Sequence, residues 1–341
     1  MKQLSIIIPC YNAENYIQRC IDSLTAQTMN HAEIELIFVN DASADETISI
    51  LLTNEKKQEE WMLVINCEEH IGVSAARNLG MQYAAGKYIG FVDSDDFVSS
   101  DMYERLINGI ESSGADFAVS DFFKVSNEKE AESHEPIIRE EAFVDLSCLA
   151  ERKSLLGDGG WNTSVCNKIY RKAFLEANHI SFPTGVRYED AYFSYLVFAL
   201  AESAYDSGRA MYYYFYNEKS IMRGGDAVSQ LERVESCELL LLELKKRELI
   251  KPYFREWEMV FIKKYYTEVL HLMMMVFDEI PYEIYTHICA WMKREFPDCH
   301  NNPYLRKQCN SVEQLYMEMM DLTPQQLKQM QEKIRNIKET I

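Results

Sequence analysis

Apolar residues in the first 125 positions follow two periods. Short β-branched or aromatic runs at residues 4–8, 34–39, 61–65, 88–92 and 117–120 have the length and continuity of strands buried on both faces. Between them the spacing turns helical: Ile17, Cys20, Ile21 and Leu24 make one stripe, and residues 74–85 read as a helix leading to the strand at 88. Ser43 followed by Glu46 predicts a capping box opening a helix that runs toward residue 56. Alternating strands and helices predict an α/β fold, a mostly parallel sheet flanked by helices with right-handed crossovers. Further on, residues 126–141 read as an acidic exposed loop. Tyr192, Tyr195, Leu196 and Ala199 form the apolar face of another helix, and residues 212–216 form an aromatic strand. From about residue 228 the pattern is helical to the end, with Thr323-Pro324-Gln325-Gln326 opening the last helix. Composition shifts toward Met, Leu, Glu and Lys near residue 226, so the chain is expected to divide into a domain of residues 1–225 and a C-terminal helical region of residues 226–341.

The informative polar residues stand where strands end. The 88–92 run passes directly into Asp93-Ser94-Asp95-Asp96, and open α/β sheets bind ligands in the crevice beyond the carboxyl ends of their strands. While the chain stays extended, Asp93 and Asp95 point to one side and can converge on a hard cation; Mg²⁺ or Mn²⁺ is commonly held by one or two carboxylates plus substrate phosphates. The plainer alternative is a polar turn capping a helix that starts near Ser99. Tyr11-Asn12 and Asn40-Asp41 end two other strands, so one ligand edge is assembled from distant sequence. Arg77 lies on a helix, either on its surface or close enough to help an acidic chain bind a diphosphate. Asn217 to Gly225, with Arg223, could close over that diphosphate or could simply connect. Glu189-Asp190 opens a helix whose dipole favours carboxylates there and is expected to hold the Asp190 pKa low.

Composition narrows the function. The formal charge of −19 over 341 residues gives no polybasic surface for nucleic acid or anionic lipid. Nine cysteines without a C-x-x-C pair fit reduced thiols, and Cys299-His300 with Cys309 match no structural zinc spacing. The first residues do not read as a signal peptide, and no apolar run reaches transmembrane length, so a cytoplasmic protein is expected.

Four segments in this order resemble the family 2 glycosyltransferases: Ser5 to Asn12, Val39 to Asp45, Gly72 to Gly80, and Asp93-Ser94-Asp95. The resemblance is close over the first 125 residues, looser to about Arg223, and fades beyond. It implies a GT-A fold, Rossmann-like, and transfer of a sugar from a nucleotide donor, with a UDP-sugar expected, to a glycan or lipid-linked acceptor with inversion. It places Pro9, Tyr11, Asn12, Asp41, Arg77, Asp93, Ser94 and Arg223 at the donor, with Tyr11 on the uracil and Asp41 on the base. The resemblance also implies that Asp95 and Asp93 hold Mn²⁺ or Mg²⁺ and that Asp190, beside Glu189, is the general base. The family commonly has two aspartates and a glycine where this chain has Asn40-Asp41-Ala42. Peripheral attachment to the inner membrane face and a homodimer are compatible with this reading. A sugar nucleotidyltransferase is the first alternative, but it would place a glycine-rich loop where Pro9-Cys10-Tyr11-Asn12 stands; a non-catalytic scaffold is the second. No ligand-edge motif follows residue 226, so the tail is expected to serve the acceptor or a partner.

Overall fold

The computed structural model describes residues 2–58, 60–127, 129–130, 138–216 and 231–339. The chain forms two compact units, one of residues 1–148, 163–185 and 189–223, the other of residues 149–162, 186–188 and 224–341. Two short segments that precede residue 226 therefore fold with the tail.

In the first unit β1 (Leu4–Cys10), α1 (Ile17–Thr25), β2 (Ile34–Asn40), α2 (Thr47–Glu55), β3 (Met62–Asn66), α3 (Val73–Tyr83) and β4 (Tyr88–Phe91) alternate as expected. Then come β5 (Phe97–Val98), α4 (Met102–Ser113), β6 (Phe117–Val125), β7 (Ala142–Asp145), β8 (Lys168–Arg171), α5 (Lys172–Ala177), α6 (Glu189–Leu200) and β9 (Ser203–Phe215). The sheet runs β3-β2-β1-β4-β8-β6-β9-β5, with β7 also on β9. β1 lies parallel between β2 and β4, so Ile6 faces Leu36 on one side and Gly90 on the other. Every residue of β1 is buried, which accounts for its unbroken apolar run. α3 packs on it so tightly that a Cβ at Gly80 would come within 2.4 Å of the Ile7 Cγ2.

Beyond β4 the sheet becomes mixed. β8 inserts antiparallel to both β4 and β6, with Ile169 opposite Gly90 and Ala118. The sequence reading gave the stretch around it no element, because four residues are too few to show a period. β9 has thirteen residues, although only its aromatic end was expected. Its earlier part carries Asp206, Ser207 and Gly208, the last at φ +62, and its register against β6 shifts around Asp121.

Two helix starts differ from expectation. α2 has Glu46 as its N-cap with no side-chain cap bond. Ser43 Oγ accepts instead from the Asn12 N–H at 3.0 Å, and Asp45 Oδ1 accepts from the Thr47 N–H. The capping box is therefore replaced by a tie between loops. α4 begins at Met102 after Asp101, so Asp93 to Asp96 do not cap it.

The second unit is helical, with helices Leu149–Gly157, Arg233–Lys246, Phe254–Phe261, Glu268–Val276, Tyr282–Glu295, Leu305–Gln308, Ser311–Met317 and Pro324–Glu339. Ile262–Thr267 is a π-helical turn between the third and fourth. Its core is aromatic and sulfur-rich: Trp257, Tyr265, Tyr266, Met273, Met274 and Tyr316 are buried, with the Tyr265 and Trp291 rings 4.1 Å apart. Thr323 caps the last helix as expected: its Oγ1 accepts from the Gln326 N–H at 3.4 Å, and its own N–H donates back to Gln326 Oε1 at 2.9 Å. Among the described residues, no helix is long and apolar enough to cross a membrane.

Candidate active site

β1 and β2 are parallel and in register to their ends, Cys10 opposite Asn40, so the loops leaving them meet. Asn12, at φ 49, accepts from the Ala44 N–H at 2.8 Å, while the Ala13 N–H donates to Thr47 Oγ1 at 2.8 Å and the Glu14 N–H to Asp45 Oδ2 at 3.0 Å. Pro9 is buried within β1. Asp41, also buried, pins a third loop: its two oxygens accept from the Ile71 N–H at 2.6 Å and the Gly72 N–H at 2.9 Å, and His70 Nδ1 lies 2.9 Å from Oδ2. Gly72, at φ +83, opens α3 in a conformation that side-chain-bearing residues rarely adopt. Tyr11 is 49% exposed and its ring lies 4.3 Å from that of His70, tilted by 37°. The result is a corner with exposed rings in front and a buried carboxylate behind.

The centre of the edge is dense in charge. Arg77, one turn into α3, is 3% exposed at its side chain. Its Nη1 donates to Glu189 Oε1 at 2.5 Å and to Asp190 Oδ1 at 2.8 Å, and its Nη2 donates to Asp93 Oδ1 at 2.7 Å. The Phe182 ring lies 5.2 Å beneath the guanidinium. Burial opposes its charge, yet the three carboxylates outweigh burial and hold its pKa above the usual arginine range. Burial rules out the surface position that the sequence also allowed for Arg77, and three carboxylates partner its guanidinium.

Asp190 also departs from expectation. Burial, with Glu189 and Asp93 nearby, pushes its carboxyl up to about 7 against the pull of Arg77. The helix dipole, worth about 0.3–1 kcal/mol, does not offset that desolvation. Asp190 keeps 30% of its side chain exposed, so a substrate can reach it. Lys168, which the sequence reading did not single out, is fully buried on β8; its Nζ donates to Ser164 O at 2.6 Å and Asn167 Oδ1 at 2.9 Å, and burial lowers its pKa to about 7.

Asp93, Ser94 and Asp95 stand half-buried in the turn after β4. Burial and the Asp93 charge raise the Asp95 pKa to about 6, and Arg19 Nη2 donates to the Asp95 carbonyl at 2.7 Å rather than to its carboxylate. A carboxylate disfavoured as a bare anion by its neighbour gains from a divalent cation. Among the described residues, no group of three or more His, Cys, Asp or Glu side chains is placed to hold a metal. Asp93 and Asp95 offer carboxylate oxygens from one turn, a chemistry that suits Mg²⁺ or Mn²⁺ completed by substrate phosphates, with Asp93 Oδ1 also accepting from Arg77.

The structure gathers Asp93, Asp190, Glu189 and Arg77 in direct contact, sets Ser94 and Asp95 on the adjoining turn, and places Pro9, Tyr11, Asn12 and Asp41 along the neighbouring strand ends. Arg223 and the glycine-ended segment lie outside the described residues. His70, Lys168, Arg19 and Asp96 escaped the sequence reading, although Glu69-His70 next to the Gly72 motif could have been noticed.

Residues 5–178, just over half of the chain, match the family described as Glycosyl transferase family 2. The chain belongs to that family. It is 33% identical over 225 residues to the uncharacterised glycosyltransferase EpsJ of Bacillus subtilis, covering 64% of this chain and 62% of EpsJ. It is 30% identical over 231 residues to the glycosyltransferase GlyA of Streptococcus pneumoniae, covering 65% of this chain and 32% of GlyA. The matches thus span 62% and 32% of the lengths of these two relatives. Among solved structures, S. aureus TarS superposes with a TM-score of 0.65 at 20% identity, over 92% of this chain and 54% of TarS. A shorter TarS chain in complex with UDP-GlcNAc gives 0.62 at 21% identity, over 89% of this chain and 92% of that one. These likenesses establish the GT-A fold.

Proposed function

We propose that the first unit is the catalytic domain of a metal-dependent, inverting glycosyltransferase that moves a sugar from a UDP-linked donor to a hydroxyl of a glycan or lipid-linked acceptor. The observation that carries this reading is the Arg77 cluster, in which one buried guanidinium sets a reachable carboxylate, Asp190, beside the Asp93 end of the strand-end turn. A TarS chain of the same fold binds UDP-GlcNAc, which supports the choice of nucleotide.

In this reading Tyr11 offers its exposed ring to the uracil, and Asp41 fixes the 70–72 loop that closes the base corner from behind. Asp190 accepts the proton of the acceptor hydroxyl as its oxygen bonds to the anomeric carbon, while the bond from that carbon to the diphosphate breaks and UDP leaves. A carboxyl with pKa near 7 is better matched to that task at neutral pH than an ordinary aspartate. Arg77, itself anchored by Glu189, orients Asp190 and holds Asp93. When bound, a Mn²⁺ or Mg²⁺ ion on Asp95 and Asp93 supplies positive charge for the leaving diphosphate.

Thermal unfolding of the full chain with UDP, GDP or TDP, each with and without Mn²⁺, tests the donor. Ligand at about 100 times its Kd adds about 2.7 kcal/mol to the native state, so UDP with Mn²⁺ should give the largest shift. A shift with GDP or TDP and none with UDP overturns the uridine assignment. Failure to release UDP from any UDP-sugar, with acceptors of both kinds present, overturns the transferase reading and leaves the scaffold.

A further inference from the structure

Asp96 takes no part in the chemistry above, yet it is 1% exposed. It accepts twice from β9: the Tyr212 hydroxyl donates to Oδ2 at 2.5 Å and the Phe215 N–H to Oδ1 at 2.7 Å. The same Tyr212 oxygen accepts from the Asp93 N–H at 3.3 Å. One buried hydroxyl therefore joins the backbone at the first residue of Asp93-Ser94-Asp95-Asp96 to the side chain of the last, spanning the turn that carries both candidate metal ligands. Tyr212 is itself fixed, paired with Val98 of β5 on one edge and Phe122 of β6 on the other. Arg19 adds a third tie through the Asp95 carbonyl, its guanidinium lying 4.0 Å from the Phe215 ring and 4.8 Å from the Phe97 ring.

Three carboxylates within four residues repel one another, and a free turn would relieve this by opening. We propose that Tyr212 and Asp96 are positioning residues for the divalent cation: together they hold the turn in the shape that lets Asp93 and Asp95 serve one ion. The proposal rests on the reading of those two aspartates as metal ligands. Removing the Tyr212 hydroxyl leaves Asp96 Oδ2 without its donor and the Asp93 N–H without its acceptor. The Phe215–Asp96 bond, the β5–β9 pairing, the Arg19 tie and the turn's own bond from the Asp96 N–H to the Asp93 carbonyl at 3.0 Å remain, so the strand and the turn's backbone keep their place while the side-chain brace from β9 is lost. Partners that orient metal ligands typically contribute about 10- to 100-fold to metal affinity.

The test titrates Mn²⁺ into the full chain at excess UDP and follows free Mn²⁺ by its EPR signal, with no turnover required. Tyr212→Phe should raise the Mn²⁺ midpoint about 10-fold or more while the metal-free chain still unfolds in one cooperative transition. An unchanged midpoint overturns the proposal. Asp95→Asn is the reference: if it shifts the midpoint and Tyr212→Phe does not, the positioning role alone fails. If Asp95→Asn leaves the midpoint where it was, the metal reading fails and this proposal falls with it. Should Tyr212→Phe not fold, Asp96→Asn removes one of the two acceptors at nearly constant volume and is judged by the same midpoint.

Discussion

The Tyr11 corner and the charged centre lie along one sheet edge but are built differently. Around Tyr11, Asn12 and Ser43 the ties are single bonds between backbone and short polar side chains on exposed loops, joining residues about 31 apart in sequence. Around Arg77 one guanidinium holds three carboxylates, from partners 16, 112 and 113 residues away, at a position closed to solvent. A lattice of separate bonds, each worth about 0.5–1.5 kcal/mol, tolerates the loss of any one. A buried ion cluster does not, because removing one member strands the rest. The corner should respond to substitution in increments and the centre abruptly.

The largest effect is expected at Asp190. Asp190→Asn keeps the acceptor oxygen facing Arg77 but cannot take a proton, so kcat should fall about 10²- to 10⁴-fold with UDP affinity little changed; Glu189→Gln should cost less. If Glu189→Gln is the inactive variant, the base is one residue earlier. The wild-type profile sharpens this. The active form is the ionised one, so kcat/KM should rise with pH through an apparent pKa near 7, the value to which burial pushes Asp190. Because the folded state holds that proton more tightly than the unfolded chain, the same shift contributes stability below about pH 4 that is lost as pH rises through 7.

Arg77→Met comes next. It leaves Glu189, Asp190 and Asp93 facing one another without a counter-charge, and breaking a buried pair in this way costs about 3–5 kcal/mol. Chemical denaturation should show that loss in the metal-free protein. A variant of normal stability that binds UDP poorly would restore the diphosphate contact first expected of Arg77 and erase the contrast between the two regions.

At the corner Asp41→Asn should cost less. The amide keeps one acceptor for the Ile71 or Gly72 N–H and turns an NH₂ toward the other, a buried mismatch of about 1–3 kcal/mol. Hydrogen exchange at Ile71 and Gly72 should accelerate while protection in β1 and β2 persists. Equal loss of protection in both strands would make Asp41 part of the core rather than a loop pin.

Local patterns were readable and distant partnerships were not. Strands β1 to β4 announced themselves because each is a buried run between polar breaks, and the Asp93-Ser94-Asp95 spacing pointed to a cation because both acids sit within three residues. The Arg77 cluster was illegible because two of its three partners lie more than a hundred residues from it and Arg77 has the local context of a surface helix. Asp96 hid for another reason: in the sequence it is only the last residue of a polar strand-end run, and its burial against Tyr212 is what sets it apart. The Asp190 pKa was misjudged because the helix start was visible in the sequence and the desolvation was not.

The smallest effect separates what the sequence suggested at Ser43 from what the fold does with it. If Ser43 capped α2, replacing it with Ala would remove an N-terminal bond, cost about 0.5–2 kcal/mol, and loosen the helix first turn. In the structure its hydroxyl accepts from Asn12, and Asp45 serves the Thr47 N–H instead. Ser43→Ala should therefore lower stability by no more than about 0.5–1.5 kcal/mol, as loss of one hydrogen bond does. Native-state hydrogen exchange locates the loss: protection should fall at the Asn12 amide and hold at the Ile50 amide, which donates to Glu46 O inside α2. The reverse pattern would reinstate the capping box and move Ser43 from the Tyr11 corner to the helix.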